Sequence, residues 1–238
     1  MPALSNSLFR VLRNLADFAF PPICYGCDEE TDSGLVCDTC RLLLFTSELD
    51  VCPGCGRPCA SAADGCGLCR IPFVPKRVRA LGLYRAPFHT LVHALKYSQK
   101  TALAELLGQA LAALVAQDTE LASADAVCAI PLHPARLRER GYNQSELLAT
   151  EVSRASGIEL VDPLLRRKNT STQTALASPK DRVENVADAF SVRPGTDLHG
   201  FDLILVDDVM TTGATLDASA RQLLAAGATA VFGLVVAG

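Results

Sequence analysis

The residues with the clearest chemical potential lie in "LILVDDVMTTGATL", residues 203–216. Four apolar residues run into two adjacent carboxylates, Asp207 and Asp208, and then into Thr211, Thr212, Gly213, Ala214 and Thr215. Small residues let backbone N–H groups face a phosphate, and a helix starting there adds the partial positive charge of its N-terminus. The threonine hydroxyls add donors, and the carboxylates can accept hydrogen bonds from vicinal hydroxyls. Hydroxyls beside a phosphate describe a ribose 5-phosphate. A Walker B element also ends an apolar strand on aspartate, but it requires a G-x-x-x-x-G-K-[ST] loop, which the chain lacks. The bland alternative is a chance strand end with a helix cap. The fourteen-residue pattern is far more specific than a bare Asp-Asp.

A second chemistry is carried by cysteine. Nine of the ten cysteines fall between Cys24 and Cys69, eight of them in four C-x-x-C pairs: Cys24/Cys27, Cys37/Cys40, Cys52/Cys55 and Cys66/Cys69. Two residues between thiolates let both sulfurs reach one metal from a tight turn, and two such pairs complete the tetrahedral four-cysteine site that structural Zn2+ prefers. Nine residues separate the first two pairs and ten the last two. This repeat predicts two zinc ribbons in tandem and two structural zinc ions, with consecutive pairs joined; an interleaved pairing is the alternative. Disulfides and an iron–sulfur cluster use the same side chains. Cys59 is left over, either a spare thiol or a substitute ligand. Cys128, in "ADAVCAIP", reads as an inert core residue.

The net charge of −4 is unevenly spread. Residues 24–70 hold three basic and eight acidic residues, so the ribbons alone are poor partners for phosphates. Residues 71–100 hold six basic residues and no acidic one. There Lys76, Arg77, Arg79, Arg85, Lys96 and Lys100 interleave with Tyr84, Phe88 and Tyr97, which suits a single-stranded nucleic acid. The competing reading is a solvated basic face whose aromatics are core. No window approaches 18 consecutive apolar residues, so no stable membrane insertion is expected. Arg10, Arg13 and Asp17 interrupt the N-terminus, which does not suit a secretory signal and leaves a cytoplasmic location as the expectation.

These residues need elements to position them. Leu8, Val11, Leu12, Leu15 and Phe18 suit one face of a short amphipathic helix that docks on the fold or, as a minority reading, on a membrane surface. From about residue 78, strand-like runs alternate with helical ones: "VRALGLY", "HTLVHALKY", "ALAELLGQALAALVAQ", "DAVCAIP", "NQSELLATEVSRASG", "LHGFDLILVDD", "ATLDASARQLLAAG" and "TAVFGLVVAG". Alternation of this kind predicts an α/β fold with an open, mostly parallel sheet. The organisation expected is an N-terminal helix over 1–23, a double ribbon over 24–75 and an α/β domain over 76–238. Residues 166–187, polar and without apolar period, read as a functional loop.

The segment 203–216 resembles the phosphoribosyl pyrophosphate (PRPP) motif of type I phosphoribosyltransferases. "AIPLHPARLRERGYNQSELLA", residues 129–149, resembles the hallmark segment of the ComF/GntX family, which also carries N-terminal cysteine knuckles. "LKY" at 95–97, T-x-x-Q-x-x-L at 170–176 and R-x-x-N at 182–185 are similar to further blocks of that family. The resemblance spans residues 23–238. One departure is that the family tends to have glycine after Lys-Tyr, where this chain has Ser98-Gln99-Lys100.

The resemblance implies a phosphoribosyltransferase domain with PRPP as ligand. Asp207 and Asp208 would hold the ribose 2- and 3-hydroxyls, and Thr211, Thr212, Gly213, Ala214 and Thr215 would cradle the 5-phosphate. Pro131, Leu132 and His133 correspond to the pyrophosphate loop, and 166–187 to a mobile lid. Lys96 and Arg140 are the candidates to stabilise the departing pyrophosphate; Arg136 and Arg138 compete with a solvated helix face, and His133 with a turn cap. Mg2+ would arrive bridging pyrophosphate oxygens. The acceptor is unidentified, an amine or a base. The family's link to competence implies the alternative of a PRPP sensor or single-stranded-DNA handler working with other competence proteins.

Overall fold

The computed structural model describes residues 22–31, 34–46, 50–52, 55–56, 59, 61–63, 65–67, 73–168 and 188–238. In the cysteine region, Asp38–Thr46 forms helix α1. The sheet that follows is organised by its two longest apolar runs, β6 (Asp202–Val209) and β7 (Ala230–Ala237), each covered on both faces. With β1 (Arg77–Gly82), β2 (Ala126–Ala129) and β3 (Glu159–Leu160) they make a five-stranded sheet of order β1–β7–β6–β2–β3. Every pairing in it is parallel. Two short strands, β4 (Leu164–Arg166) and β5 (Phe190–Val192), pair antiparallel outside the sheet and flank residues 169–187.

Parallel strands need crossovers, and helices supply them. Between β1 and β2 lie α2 (Phe88–Tyr97), α3 (Leu103–Gln117) and the single turn α4 (Thr119–Ala122). Between β2 and β3 lie α5 (Pro134–Arg140) and α6 (Gln144–Ser156), and between β6 and β7 lies α7 (Ala214–Ala225). Alternation along the strands feeds two cores. Ile204, Val206, Phe232 and Leu234 pack with α2, α3 and α6. Leu203, Leu205, Val231 and Val235 pack with α7 and with Leu164 and Phe190 of the β4–β5 pair.

This winding has a functional consequence. From β2 the chain moves outward to β3 over one face, whereas from β6 it moves the opposite way to β7 over the other. The direction reverses between β2 and β6, so a crevice opens at the carboxyl ends of those two strands, the place where open α/β sheets bind ligands.

The cysteine region rests on this domain at two places. Cys24, Val36, Cys40 and Leu44 join the core shared by α2 and α3. Further along, the N–H of Val78 donates to the carbonyl of Cys55 at 3.0 Å, so this knuckle covers the free edge of β1. The amphipathic segment Leu8–Phe18 and most of the expected lid lie outside the described residues. Among the described residues, no helix is long and apolar enough to cross a membrane.

Candidate functional site

Asp207 and Asp208 sit inside β6, two and one residues before its end, at the carboxyl end of the strand where the sequence reading puts them. They are 8% and 3% exposed, so neither stands open to solvent. What covers them is polar. The Ser145 hydroxyl donates to Asp207 Oδ1 at 2.8 Å, and Lys96 Nζ lies 2.7 Å from Asp208 Oδ1. Asp208 Oδ2 is buried with no hydrogen-bond partner among the described residues. A desolvated carboxylate oxygen without a donor is costly unless something supplies one.

The electrostatics follow from this crowding. Burial, and then the charge of Asp208, push Asp207 up to about 7. Burial pulls the Lys96 ammonium down, but the neighbouring Asp208 carboxylate outweighs it and holds Lys96 above its ordinary value. Burial likewise lowers Arg166, at the end of β4, against the pull of nearby Asp207.

Residues 140–145 tie the surroundings together, a role that residue types alone do not signal. Arg140 donates to the Gln144 side chain, and the Tyr142 hydroxyl donates to the carbonyl of Leu95, just before Lys96. Asn143 accepts the Ser145 N–H as the cap of α6 and donates Nδ2 to the carbonyl of Ile130 at 3.0 Å. Ile130 in turn donates its N–H to Val206, beside the aspartates. The loop Pro131–Leu132–His133 is therefore fastened to α6 and β6. His133 caps α5, its Nδ1 accepting from the Ala135 N–H. The guanidinium of Arg140 stacks over the Tyr97 ring, 5.4 Å from its centroid.

Across the crevice, Met210 to Gly213 turn the chain into α7, with Gly213 at φ 82° as its N-cap. That left-handed backbone is open to glycine at little cost. The Thr212 hydroxyl accepts from the Ala214 N–H at 3.4 Å, and Thr211 is exposed. Gln99 takes φ 54°, in the stretch where the resemblance leads one to expect glycine.

The cysteines come together as consecutive pairs. The sulfurs of Cys24, Cys27, Cys37 and Cys40 lie within 4.8 Å of one another, with Cys27 and Cys37 3.7 Å apart. A tetrahedron with bonds of about 2.3 Å has edges of about 3.8 Å, so the donor set fits zinc. Burial opposes the Cys24 thiolate, but N–H groups of Cys37, Gly26 and Cys27 outweigh it and bring Cys24 down to about 7. In the second cluster Cys52, Cys55 and Cys66 meet the same limit, with Cys55 and Cys66 3.5 Å apart. Cys69 lies outside the described residues. Cys59 is buried beside this cluster, but its thiol turns to the Ser61 carbonyl at 3.3 Å. Cys128 is fully buried in the sheet.

The basic stretch splits in two. Lys76, Arg77 and Arg79 are engaged by Asp118 and Glu120 at 2.5–3.5 Å, and Phe88 is core. Tyr84 and Tyr97 are instead exposed, and with His89 and His93 they form a ladder of rings. The centroids are spaced 4.9, 6.3 and 4.8 Å, from Tyr84 ahead of α2 along that helix to Tyr97, over which Arg140 sits.

Together these features define a doubly wound α/β protein with a polar crevice at its switch point and two thiol clusters on its N-terminal side. No protein-family model matches the chain. It is similar to DNA utilization protein YhgH of Escherichia coli K12, 32% identical over 218 residues, covering 89% of this chain and 94% of that protein. It is also similar to competence protein F of Haemophilus influenzae, 34% identical over 179 residues, covering 72% and 77%, and to competence protein ComFC of Bacillus subtilis, 30% over 203 residues, covering 81% and 79%. The chain belongs to this ComF/YhgH family. Among solved structures it is similar to a PRPP amidotransferase of B. subtilis (24% identity, TM-score 0.36, covering 53% of this chain and 25% of that one). TT1426 of Thermus thermophilus gives 18% identity and a TM-score of 0.30, covering 54% and 83%.

Proposed function

We propose that the crevice between β2 and β6 binds PRPP, and that the protein transfers its phosphoribosyl group to an amine or base. The observation that carries this reading is the buried Asp208 Oδ2, without a hydrogen-bond partner among the described residues, on a carboxylate whose other oxygen meets Lys96 and which is followed in the chain by the small-residue start of α7. An acceptor of that kind is suited to a sugar hydroxyl, and the adjoining main-chain amides to the phosphate. In the transfer, the C1–O bond to pyrophosphate breaks and pyrophosphate keeps the electron pair. The acceptor nitrogen bonds to C1 and releases a proton to solvent. Positive charge fixed beside the leaving group lowers that barrier, a role we assign to Lys96 and Arg140. Mg2+ bound through pyrophosphate oxygens would add charge neutralisation. Calorimetry with PRPP and Mg2+ should show binding that Asp207→Ala plus Asp208→Ala abolishes. Equal affinity in a folded double variant would reject the site, and a pyrophosphate-release assay across amines and bases separates transfer from sensing.

A second reading, the handling of single-stranded DNA, is favoured by the ring ladder from Tyr84 along α2, whose two end tyrosines are exposed. Bases stack on such rings without regard to sequence. Oligonucleotide binding should weaken in Tyr84→Ala plus Tyr97→Ala protein; undiminished binding rejects the ladder as its site.

A further inference from the structure

The geometry points to a regulatory link: metal held by the second cysteine cluster fixes the N-terminal end of α7 and thereby sets the affinity of the crevice for ribose phosphate. This rests on residues 211–215 being the phosphate-binding turn. The link is a continuous set of contacts. Phe73 packs against Cys52, Cys55 and Cys59 on one side and against the α7-side core on the other. The next residue, Val74, donates its N–H to Asp217 Oδ1 at 2.7 Å, in the first turn of α7. Asp217 donates its own N–H to the carbonyl of Gly213, the α7 cap, and its other carboxylate oxygen accepts from Arg221 at 2.8 Å. Two residues further on, Lys76 donates its N–H to Val231 of β7, so the strap is anchored at both ends.

The knuckle itself is pressed onto the domain. Besides the Val78-to-Cys55 hydrogen bond, a Cβ added to Gly56 would meet Arg77 Cγ at 2.6 Å and the Val78 carbonyl at 2.7 Å. With φ +71° and no room for a side chain, only glycine fits there. The strap therefore runs from the thiols to the α7 turn through contacts that leave little slack. Without metal, clustered thiols have no bond holding them together, and the strap loses its anchor. Coupling between two sites is reciprocal: what the cluster does to the turn, the turn does to the cluster.

Two variants of the full chain test this. Cys66→Ser should lower zinc from about two to about one per chain, by removing one ligand set. It should also speed amide exchange at residues 211–217 at least tenfold, leaving residues 126–129 of β2 unchanged, and weaken PRPP binding about tenfold. Asp217→Ala, which leaves every cysteine in place, should keep its zinc yet lose it several-fold faster to a chelator. Unchanged exchange in Cys66→Ser protein, or unchanged zinc release in Asp217→Ala protein, overturns the link. Faster exchange with unaltered PRPP affinity overturns the regulation. A wild-type chain that binds no PRPP sinks the ribose-phosphate reading instead, while exchange and zinc release still decide the link.

Discussion

Asp207 is the residue on which pH acts most directly. Burial and the adjacent Asp208 charge hold its carboxyl near 7, above the value of about 3.9 it has in an unfolded chain. The folded protein therefore keeps a proton that the unfolded chain releases. The stability this contributes is fully present below about pH 4 and is lost as pH rises through 7. Between pH 8 and pH 6 the free protein should gain roughly 1 kcal/mol from this group. Urea denaturation at both pH values measures the gain, and Asp207→Asn, which removes the titration, should abolish it. An equal gain in the asparagine variant would assign the effect elsewhere. The aspartate pair is visible in the sequence because an apolar run so seldom ends on two like charges. Its partners are not. Lys96 is suggested by resemblance only as a leaving-group residue, whereas the fold sets it on Asp208, and Ser145 carries no signal until α6 brings it to β6.

At the scale of elements, the joint between β2 and α6 decides whether the crevice keeps its shape. Asn143 is buried and serves both sides: it caps α6 and satisfies the Ile130 carbonyl. Losing a cap costs about 1 kcal/mol, and stranding a buried carbonyl costs a further ~1–3 kcal/mol. Asn143→Ala should therefore destabilise by about 2–4 kcal/mol, a fall in Tm of roughly 4–16 °C for a chain of this size. Asn143→Ser keeps a capping oxygen but lacks the amide donor, so thermal unfolding should show about 1 kcal/mol recovered. A serine variant no better than alanine would place the whole effect on the Ile130 carbonyl. The elements legible in the sequence are α2, α3, α6 and α7 by their apolar faces, β6 and β7 by their unbroken runs, and β1 and β2 by shorter ones. The seven-residue α5 buries no side chain, and β3, β4 and β5 span two or three residues each. Elements so short take their form from long-range partners and leave no period to read.

For the whole molecule, the question is how a chain of net charge −4 could hold a polyanion. Its overall field repels one, so any strand must be held by local cations and stacking. Lys76, Arg77 and Arg79 are engaged by Asp118 and Glu120, and burial opposes the Asp118 charge while Arg79 and backbone N–H groups hold its carboxyl below the usual range. That leaves Arg85 next to Tyr84 in the chain, Arg140 over the Tyr97 ring, and Lys100, three residues past Tyr97, 5.1 Å from the Tyr25 ring centroid. Three phosphates neutralised on a single strand give a slope of log K against log salt of about −2; adding the three paired cations would take it to about −4. Titration of an oligothymidylate at several salt concentrations separates these cases. Removing both tyrosines should cost at least tenfold, since stacking contributes ~1–3 kcal/mol per base. Lys76→Ala plus Arg77→Ala should leave both the affinity and the slope nearly unchanged. A slope near −4 that this pair of substitutions flattens would move the nucleic-acid surface from the α2 ladder to the edge of β1.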